Sequence, residues 1–434
     1  LGYPSSLTYF LLPKGNIVSL IPGLFNSSSP PATLIKPSFA NAITRIGPNG
    51  YATLFALTGM MREQVATQVK HGYFSKTMVF PALTISGTLA GGTQTTITVG
   101  AGATATGNVF EDGGSGGTAN VIPGNIFQCN LTGEHLVVRA VLSATQISVT
   151  RGAGTVAAGT LTNGDQLWLV GNAFEEGSVR PAAQALLAVE TDNYCQIFRN
   201  TWAVTETMRS TLMLAGDTNV AETQSECMQF HGRDIESALF FGQKLVGTQN
   251  GQPFYKMEGV IANLLSNASS QITTLGATTN YTQLETALDP MFNTRTDVSA
   301  TNERIAFVGG TALRVINNIG RLNGTYYLVD GQTSFGLQFH TLKLTRGTIQ
   351  LIQHPLFNTN TSWSSQMVAV DLPTFDLAYL RKTQQKTFNM EGDGDANDNG
   401  IDAVGGTLTT QLTALFKNPA ANAVLYGFTA PAQG

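Results

Sequence analysis

Charge is scarce in this chain. Of its 434 residues only 24 are Lys or Arg and 28 are Asp or Glu. That is half the usual share for a soluble protein. A surface so poor in charge does not suit a lone monomer, whereas a chain that buries much of its surface against copies of itself can carry it. Intrinsic disorder is excluded, because 42% of the residues are hydrophobic and a disordered chain needs the opposite balance. Cysteine is also rare. Cys129, Cys195 and Cys227 are odd in number and widely spaced, so they form neither a disulfide framework nor a zinc-ligand pattern and fit a reducing, intracellular origin. Long apolar runs are missing. The longest charge-free stretch, Thr77 to Phe110, is rich in Thr and Gly, and the run from Gly15 to Ile35 is broken by Pro22, Pro30 and Pro31. Neither has the apolar density of a membrane span, and no signal-peptide charge pattern is present. P-loop, Rossmann and HExxH motifs are absent as well.

What charge there is lies unevenly. The net charge of -4 argues against a generic nucleic-acid binder. Residues 1–110, however, hold Lys14, Lys36, Arg45, Arg62, Lys70 and Lys76 against Glu63 alone. A basic first quarter on an acidic body suggests docking on something acidic, such as a neighbouring subunit.

Length predicts two to four domains. Residues 1–50 read as an extended arm, because Pro4, Pro13, Pro22, Pro30, Pro31, Pro37 and Pro48 prevent a long helix. Its apolar pairs, Leu11-Leu12 and Ile17-Val18, cannot form a core among themselves. Residues 51–70 predict a short helix with Leu54, Leu57, Met61 and Val65 on one face. Residues 78–170 alternate Thr, Val and Ile between Gly-rich turns at Gly91-Gly92, Asp112 to Gly117, Ser143-Ala144 and Asn163-Gly164. They predict a small all-β module of about five strands. Residues 172–210 read as extended. Asn219 and Glu222 form a capping-box pattern. It opens a long helix that carries Met228, Ile235, Leu239, Leu245 and Val246 at helical spacing and stops at Gly247. Beyond it, residues 260–360 read as an α/β region. It holds a helix over Tyr281 to Phe292, a strand, Gly-Gly turn and Thr311-capped helix over Arg304 to Ile319, and a hairpin over Leu337 to Phe357 turning at Arg346-Gly347. Gln366 to Arg381 returns the chain, a Gly/Asp loop follows at 391–406, and a Leu/Ala-rich segment ends it.

Motifs that tempt a chemical reading are weak. Gly113-Gly114-Ser115-Gly116-Gly117 matches G-x-S-x-G, but no strand precedes the Ser and no helix follows it. Asp395, Asn397, Asn399 and Gly400 match the first half of a calcium loop, yet its twelfth position is Gly406 rather than Glu. A tight Asx-rich turn is the plainer reading, with a weak cation site as the alternative. His71, His135, His231, His340 and His354 are scattered. His231 falls on the apolar side of the long helix, and His340 and His354 flank the hairpin. Glu175 and Glu176 are adjacent, so on a strand they would point to opposite faces. The sequence therefore offers no catalytic, cofactor-binding or metal-ligating set and does not support an enzyme.

The order of parts carries more than any motif. A proline-rich arm, a β excursion, one long helix, an α/β lobe and a return to β resemble the major capsid proteins of tailed phages. Their fold is the α+β Johnson fold, or Hong Kong 97-type fold. The stretch Gly171 to Ser210 resembles one subfamily in its Glu175-Glu176-Gly177, its N-x-x-Q-I-F run from Asn193 to Phe198, and its V-x-x-T from Val204 to Thr207. Ile147 to Gly159 resembles the V-x-R-G…G-T-x-A-A turn of that subfamily's inserted module. TRGTIQLIQHPLF and VAVDLPTFDLAYLR resemble its axial-domain hairpin and return strand. The resemblance runs from about residue 70 to the end, and residues 1–65 match by position only. It implies an arm and short helix at 1–66, an E-loop at 67–200 with the β module at about 90–170, and a peripheral domain with a spine helix at 201–265. An axial domain at 266–364 and a return segment at 365–434 complete it. It implies a shell protein that self-assembles through pentamers and hexamers into an icosahedral capsid around double-stranded DNA, without catalysis or cofactor. The virion, assembled in the host cytoplasm, is the implied location. Portal and cement or decoration proteins are implied partners, with non-specific DNA contact and no membrane. The rival with the same fold is a cargo-holding bacterial nanocompartment shell. A secreted polysaccharide-active β protein is the rival from another class.

Overall fold

The computed structural model describes residues 52–59, 63–76, 82–89, 91–92, 94–99, 121–143, 145–181, 188–211, 219–276, 279–294, 296, 302–322, 329–334, 337–389 and 402–429. The arm 1–50, the Gly113–Gly117 run and the Asp395–Gly400 loop lie outside these residues.

Two sheets and one helix build the body. A four-stranded sheet runs in the order Glu63–Val65, Phe375–Asn389, Ala403–Phe416, Gln196–Thr205. A seven-stranded mixed sheet runs in the order Ile272–Thr274, Ala423–Tyr426, Met367–Val370, Glu303–Val308, Thr348–Gln353, Leu337–Lys343, Val329–Ser334. Between them lies the helix Asn219–Phe241, 23 residues or roughly 35 Å long. Its Ile235, Leu239 and Phe240 join Leu377, Leu412 and Ala414 of the first sheet and Phe307, Ile352 and Val368 of the second in one core. A second core fills the opposite face of the large sheet. Leu284 and Leu288 of the helix Tyr281–Leu288 and Val315 and Ile319 of the helix Gly310–Leu322 pack there on Ala306, Val308 and Leu351. The strand Glu303–Val308 is thus buried on both faces, which is why its sequence reads as a nearly continuous apolar run.

A third core stands alone. Six strands, in the order Ala82–Thr84, Gln166–Asn172, Asn125–Cys129, His135–Ser143, Gln146–Thr150, Thr96–Thr98, form the predicted module. They close on Leu83, Ile97, Phe127, Leu136, Ile147 and Leu167. The module has one strand more than expected, and its first strand, at Ala82, lies within the 78–170 read from the sequence and ahead of the start at about 90 implied by the resemblance. Two ribbons complete the described sheets, Lys70–Ser75 with Val189–Tyr194 and Leu245–Gln249 with Gln252–Lys256.

Four expectations need correction. The helix near residue 51 covers only Thr53–Gly59; Glu63–Val65 is instead a strand, paired parallel to Leu377–Tyr379. The long helix stops at Phe241, not before Gly247, and Leu245 and Val246 lie in a ribbon. The stop is steric. A Cβ on Gly242 would lie 2.5 Å from the Ala238 carbonyl oxygen and 2.7 Å from that of Met257, and one on Gly259 would meet Ala238 and Leu239 at 2.7 Å. Two glycines bring the base of the ribbon against the helix end, and Gly259 N–H donates to the Gly242 carbonyl at 3.0 Å. On the same helix Met228 is exposed while Cys227 is buried. Finally, Thr311 lies inside the helix Gly310–Leu322, its hydroxyl on Ser364 at 2.8 Å, and the Gly310 N–H donates to Asn358 Oδ1 at 2.7 Å. The helix Tyr281–Leu288 has a full capping box between Asn280 and Gln283.

Candidate assembly interface

The residues quoted for the resemblance are joints between elements. Asn193, buried at the end of its ribbon, donates to the carbonyls of Glu258 at 3.0 Å and Ala414 at 2.8 Å, and accepts from the Glu258 N–H at 2.8 Å. Gln196 Oε1 accepts from Met257 N–H at 3.1 Å, and Phe198 enters the main core. One short motif thus ties the strand Gln196–Thr205 to the ribbon base and to Ala403–Phe416. In the module, Arg151 makes a two-pronged pair with Glu134 at 2.8 and 2.6 Å, both side chains being essentially fully buried. The N–H groups of Gly152 and Gly159 donate to the same carboxylate at 3.0 and 3.1 Å. Burial disfavours the charged carboxylate, but Arg151 and the two N–H groups outweigh it and hold Glu134 below the usual range. Gly152 has φ +61°, a conformation that glycine adopts without penalty. These contacts pin the irregular segment 151–160 to the sheet.

A third joint left no mark on the sequence reading. Glu236, fully buried in the long helix, accepts from the N–H groups of Leu54 at 2.8 Å and Phe55 at 2.7 Å and from His354 Nε2 at 2.8 Å. His354 Nδ1 accepts from the Leu356 N–H at 3.2 Å, so the ring carries its proton on Nε2. The chain beyond the arm, the long helix and the α/β lobe meet at this carboxylate. His354 is therefore a structural residue, and His340 faces Leu351 in the neighbouring strand. His231 is a satisfied core histidine, 2.6 Å from Asn200 Oδ1 and 2.7 Å from Thr410 Oγ1. Burial lowers its pKa, with Asp234 opposing. Glu175 and Glu176 lie in an exposed turn. Gly406, the position where a calcium loop needs its Glu, sits in the strand Ala403–Phe416 opposite Trp202. Among the described residues no three His, Cys, Asp or Glu gather as a metal site, and no helix is long and apolar enough to cross a membrane. The three cysteines are buried thiols, and burial pushes Cys195 up to about 11.

What the surface offers is area for contact. The ribbon 245–256 exposes Leu245, Val246 and Phe254. A lone two-stranded ribbon is marginal in water, so it gains by lying against something. Its root is braced by Lys244, which reaches Asp192 at 2.8 Å, and by Tyr255 stacked on Tyr194 at 5.8 Å. On the module, Leu167 points into the core while Trp168 and Val170 point out, with Phe174 just beyond. Phe74 and Val179 are 73% and 87% exposed. Apolar side chains are thus set outward on separate projections rather than gathered in one cleft.

Comparison with known proteins gives this surface a context. A family model described as SU10 major capsid protein matches residues 23–429. The major capsid protein of Pseudomonas phage PaMx41 is 32% identical over 421 residues, covering 94% of this chain and 96% of that one. Among solved structures, the Mycobacterium phage Bobi structure covers 93% of this chain and 97% of its own at 11% identity and a TM-score of 0.46. The holo-SrpI encapsulin complex from Synechococcus elongatus PCC 7942 covers 57% and 79% at 9% identity and a TM-score of 0.40.

Proposed function

The chain belongs to the SU10 major capsid protein family, and from that premise we propose how its parts serve the shell. It is a structural protein of a phage capsid, copies of which form the icosahedral shell. An α+β architecture with a β module, a long helix and an α/β lobe in that order supports the Johnson-fold reading. The parts divide the work. The α/β lobe at about 266–364 lies nearest the centres of pentamers and hexamers. The module, a self-contained core on an excursion between residues 76 and 188, reaches across a neighbouring subunit on the outer surface. The body around the long helix sits between them, and the arm 1–50 lies along an acidic region of its own or a neighbouring subunit. Packaged DNA is contacted without sequence preference, because the chain is net negative and carries no basic recognition helix. Portal and cement or decoration proteins are further partners, assembly takes place in the host cytoplasm, and no catalytic step is asked of the subunit.

The observation that supports this division is the set of outward apolar side chains on ribbon and module, which a shell covers and a monomer leaves wet. Negative-stain microscopy of the purified protein tests it. Closed shells of uniform size, with pentamers and hexamers as their precursors, are expected. A chain that stays monomeric at high concentration overturns it.

A further inference from the structure

One face of the four-stranded sheet is bare. Along Gln196–Thr205 the side chains alternate. Phe198, Trp202 and Val204 are buried on the side of the long helix, while Ile197, Arg199, Thr201 and Ala203 are exposed on the other. The register carries that second face across the sheet. Arg199 shares a row with Thr409 and Gln384, and Thr201 shares the next with Thr407 and Lys386. Residues in one row point to the same side. The face therefore holds Arg199 and Lys386, two strand spacings or about 10 Å apart across the sheet. Thr201 and Thr407 lie between them, and no Asp or Glu stands in either row. Arg381 adds an exposed cation at the bulge beyond Gln384. Cations gathered without an acid repel one another, so this face suits an anionic partner.

The module's return limb carries the matching charge. The chain passes from the ribbon strand Lys70–Ser75 to the module within residues 76–81, yet it returns over the longer stretch 173–188. The surplus includes an exposed turn at 174–180. That turn is fixed to the module. Ala173 N–H donates to the Gly124 carbonyl at 2.9 Å, Ser178 N–H donates to the Glu175 carbonyl at 3.1 Å, and a Cβ on Gly124 would lie 2.6 Å from the Phe174 ring. Glu175 and Glu176 stand side by side on it, with exposed Phe174 before them and exposed Val179 after them; Arg180 follows at the far end. Within one subunit neither set of charges is answered. Among the described residues no side chain bonds or pairs with Glu175, Glu176, Arg199 or Lys386.

We propose that the turn 174–179 of one subunit docks on the bare sheet face of a neighbouring copy, Glu175 and Glu176 meeting Arg199 and Lys386. This docking rests on the shell reading, in which the module reaches across a neighbour, and it names the surface that receives it. The contact is heterologous: each subunit gives its turn to one neighbour and its face to another, as a closed ring requires. Charge and apolar surface together choose the occupant. Ile197, 54% exposed, is the next side chain to Arg199 on that face, and Phe174 and Val179 flank the two glutamates. Ion pairs and apolar contacts therefore form at once. The loop 391–400 matches the charge with Glu391, Asp393, Asp395 and Asp398, but it holds no apolar residue larger than Ala to cover Ile197. DNA phosphates match the charge and leave Ile197 wet in the same way. A single exposed ion pair contributes little; here two pairs and their apolar flanks recur at every copy of the contact.

Carbodiimide coupling, which joins a carboxylate to an amine already in contact with it, tests the docking. Parent subunits grown in light and in heavy nitrogen are mixed, assembled into shells without DNA, coupled and digested. Peptides joining Glu175 or Glu176 to Lys386 should appear, with light and heavy partners combined at random. Links confined to one isotope place the contact inside a subunit, and links from Lys386 to residues 391–402 make that loop the occupant. Closed shells without any such link leave the face empty. Each of these results overturns the proposal. Charge exchange gives a second measure. Arg199→Glu with Lys386→Glu, and separately Glu175→Lys with Glu176→Lys, alter only exposed side chains, so the subunits should keep the parent's circular dichroism. Each pair should raise the concentration needed for assembly roughly tenfold, most strongly at low salt, because like charges then meet. The fourfold variant should assemble like the parent. A fourfold variant as poor as the pairs overturns the docking. So does unaltered assembly, and if DNA retention alone drops in the Arg199→Glu, Lys386→Glu variant the face belongs to phosphates. If the parent chain makes no closed shells, the shell reading falls and the docking with it; closed parent shells that lack the links remove the docking alone.

Discussion

Two buried sites show how single side chains govern the subunit. Arg151 and Glu134 form a pair with almost no water access. Removing one partner of a buried pair leaves an uncompensated charge and costs about 3–5 kcal/mol. Arg151→Met should therefore lower the melting temperature of the module, followed by near-ultraviolet dichroism, while the transition of the body stays where it was. A double variant with Glu134→Leu should recover part of the loss, because the orphaned charge goes too. His231 is the acid-sensitive counterpart. Its folded pKa is lowered by burial, so the unfolded chain binds the proton more readily. The stability it contributes is complete above the unfolded value of 6.5 and declines as pH falls below it. Denaturant midpoints measured between pH 8 and pH 5 should fall, and His231→Gln should flatten that part of the profile. An unchanged slope would show that other groups set the acid response.

At the scale of elements, the join between the long helix and the ribbon 245–256 is tightly packed. With main-chain oxygens 2.5 to 2.7 Å from where a Cβ would stand, Gly242→Ala forces helix end and ribbon apart. Overpacking of this kind costs about 1–3 kcal/mol. The variant should melt earlier, and hydrogen exchange should rise first in residues 245–256; protection equal to the parent there would place the strain elsewhere. This join also shows where sequence reading reached its limit. The helix was legible from Ile235 and Leu239 at helical spacing, but Leu245 and Val246 continue the same period by accident on a ribbon. Only the close approach of Met257 and Gly259, far along the chain, ends the helix at Phe241. The module was legible because its strands alternate locally and turn at glycines. The joint at Glu236 was not, because its partners are 118 and 182 residues away. A lone Glu on an amphipathic helix looks like a solvated face until those partners are in place.

For the whole molecule, the separation of cores has a direct consequence. The module closes on its own apolar residues and contributes none to the main core. Deleting the whole module, residues 82–172, should leave the body folded and soluble, with assembly or shell stability crippled, as sedimentation and microscopy would show. Shells indistinguishable from the parent's would remove the module from assembly, and an insoluble body would show that the two cores depend on each other. The topology of the body carries a different consequence, one of timing. Ala403–Phe416 lies between Phe375–Asn389 and Gln196–Thr205, and Ala423–Tyr426 lies between Ile272–Thr274 and Met367–Val370. These two strands, made after every other described strand of the body, are thus interior strands of both sheets. A nascent or prematurely terminated chain has gaps in both sheets and cannot present the finished body to a neighbour. Synthesis of residues 403–426 becomes the licence to join, and a lattice that repeats one part many times is spared incomplete ones.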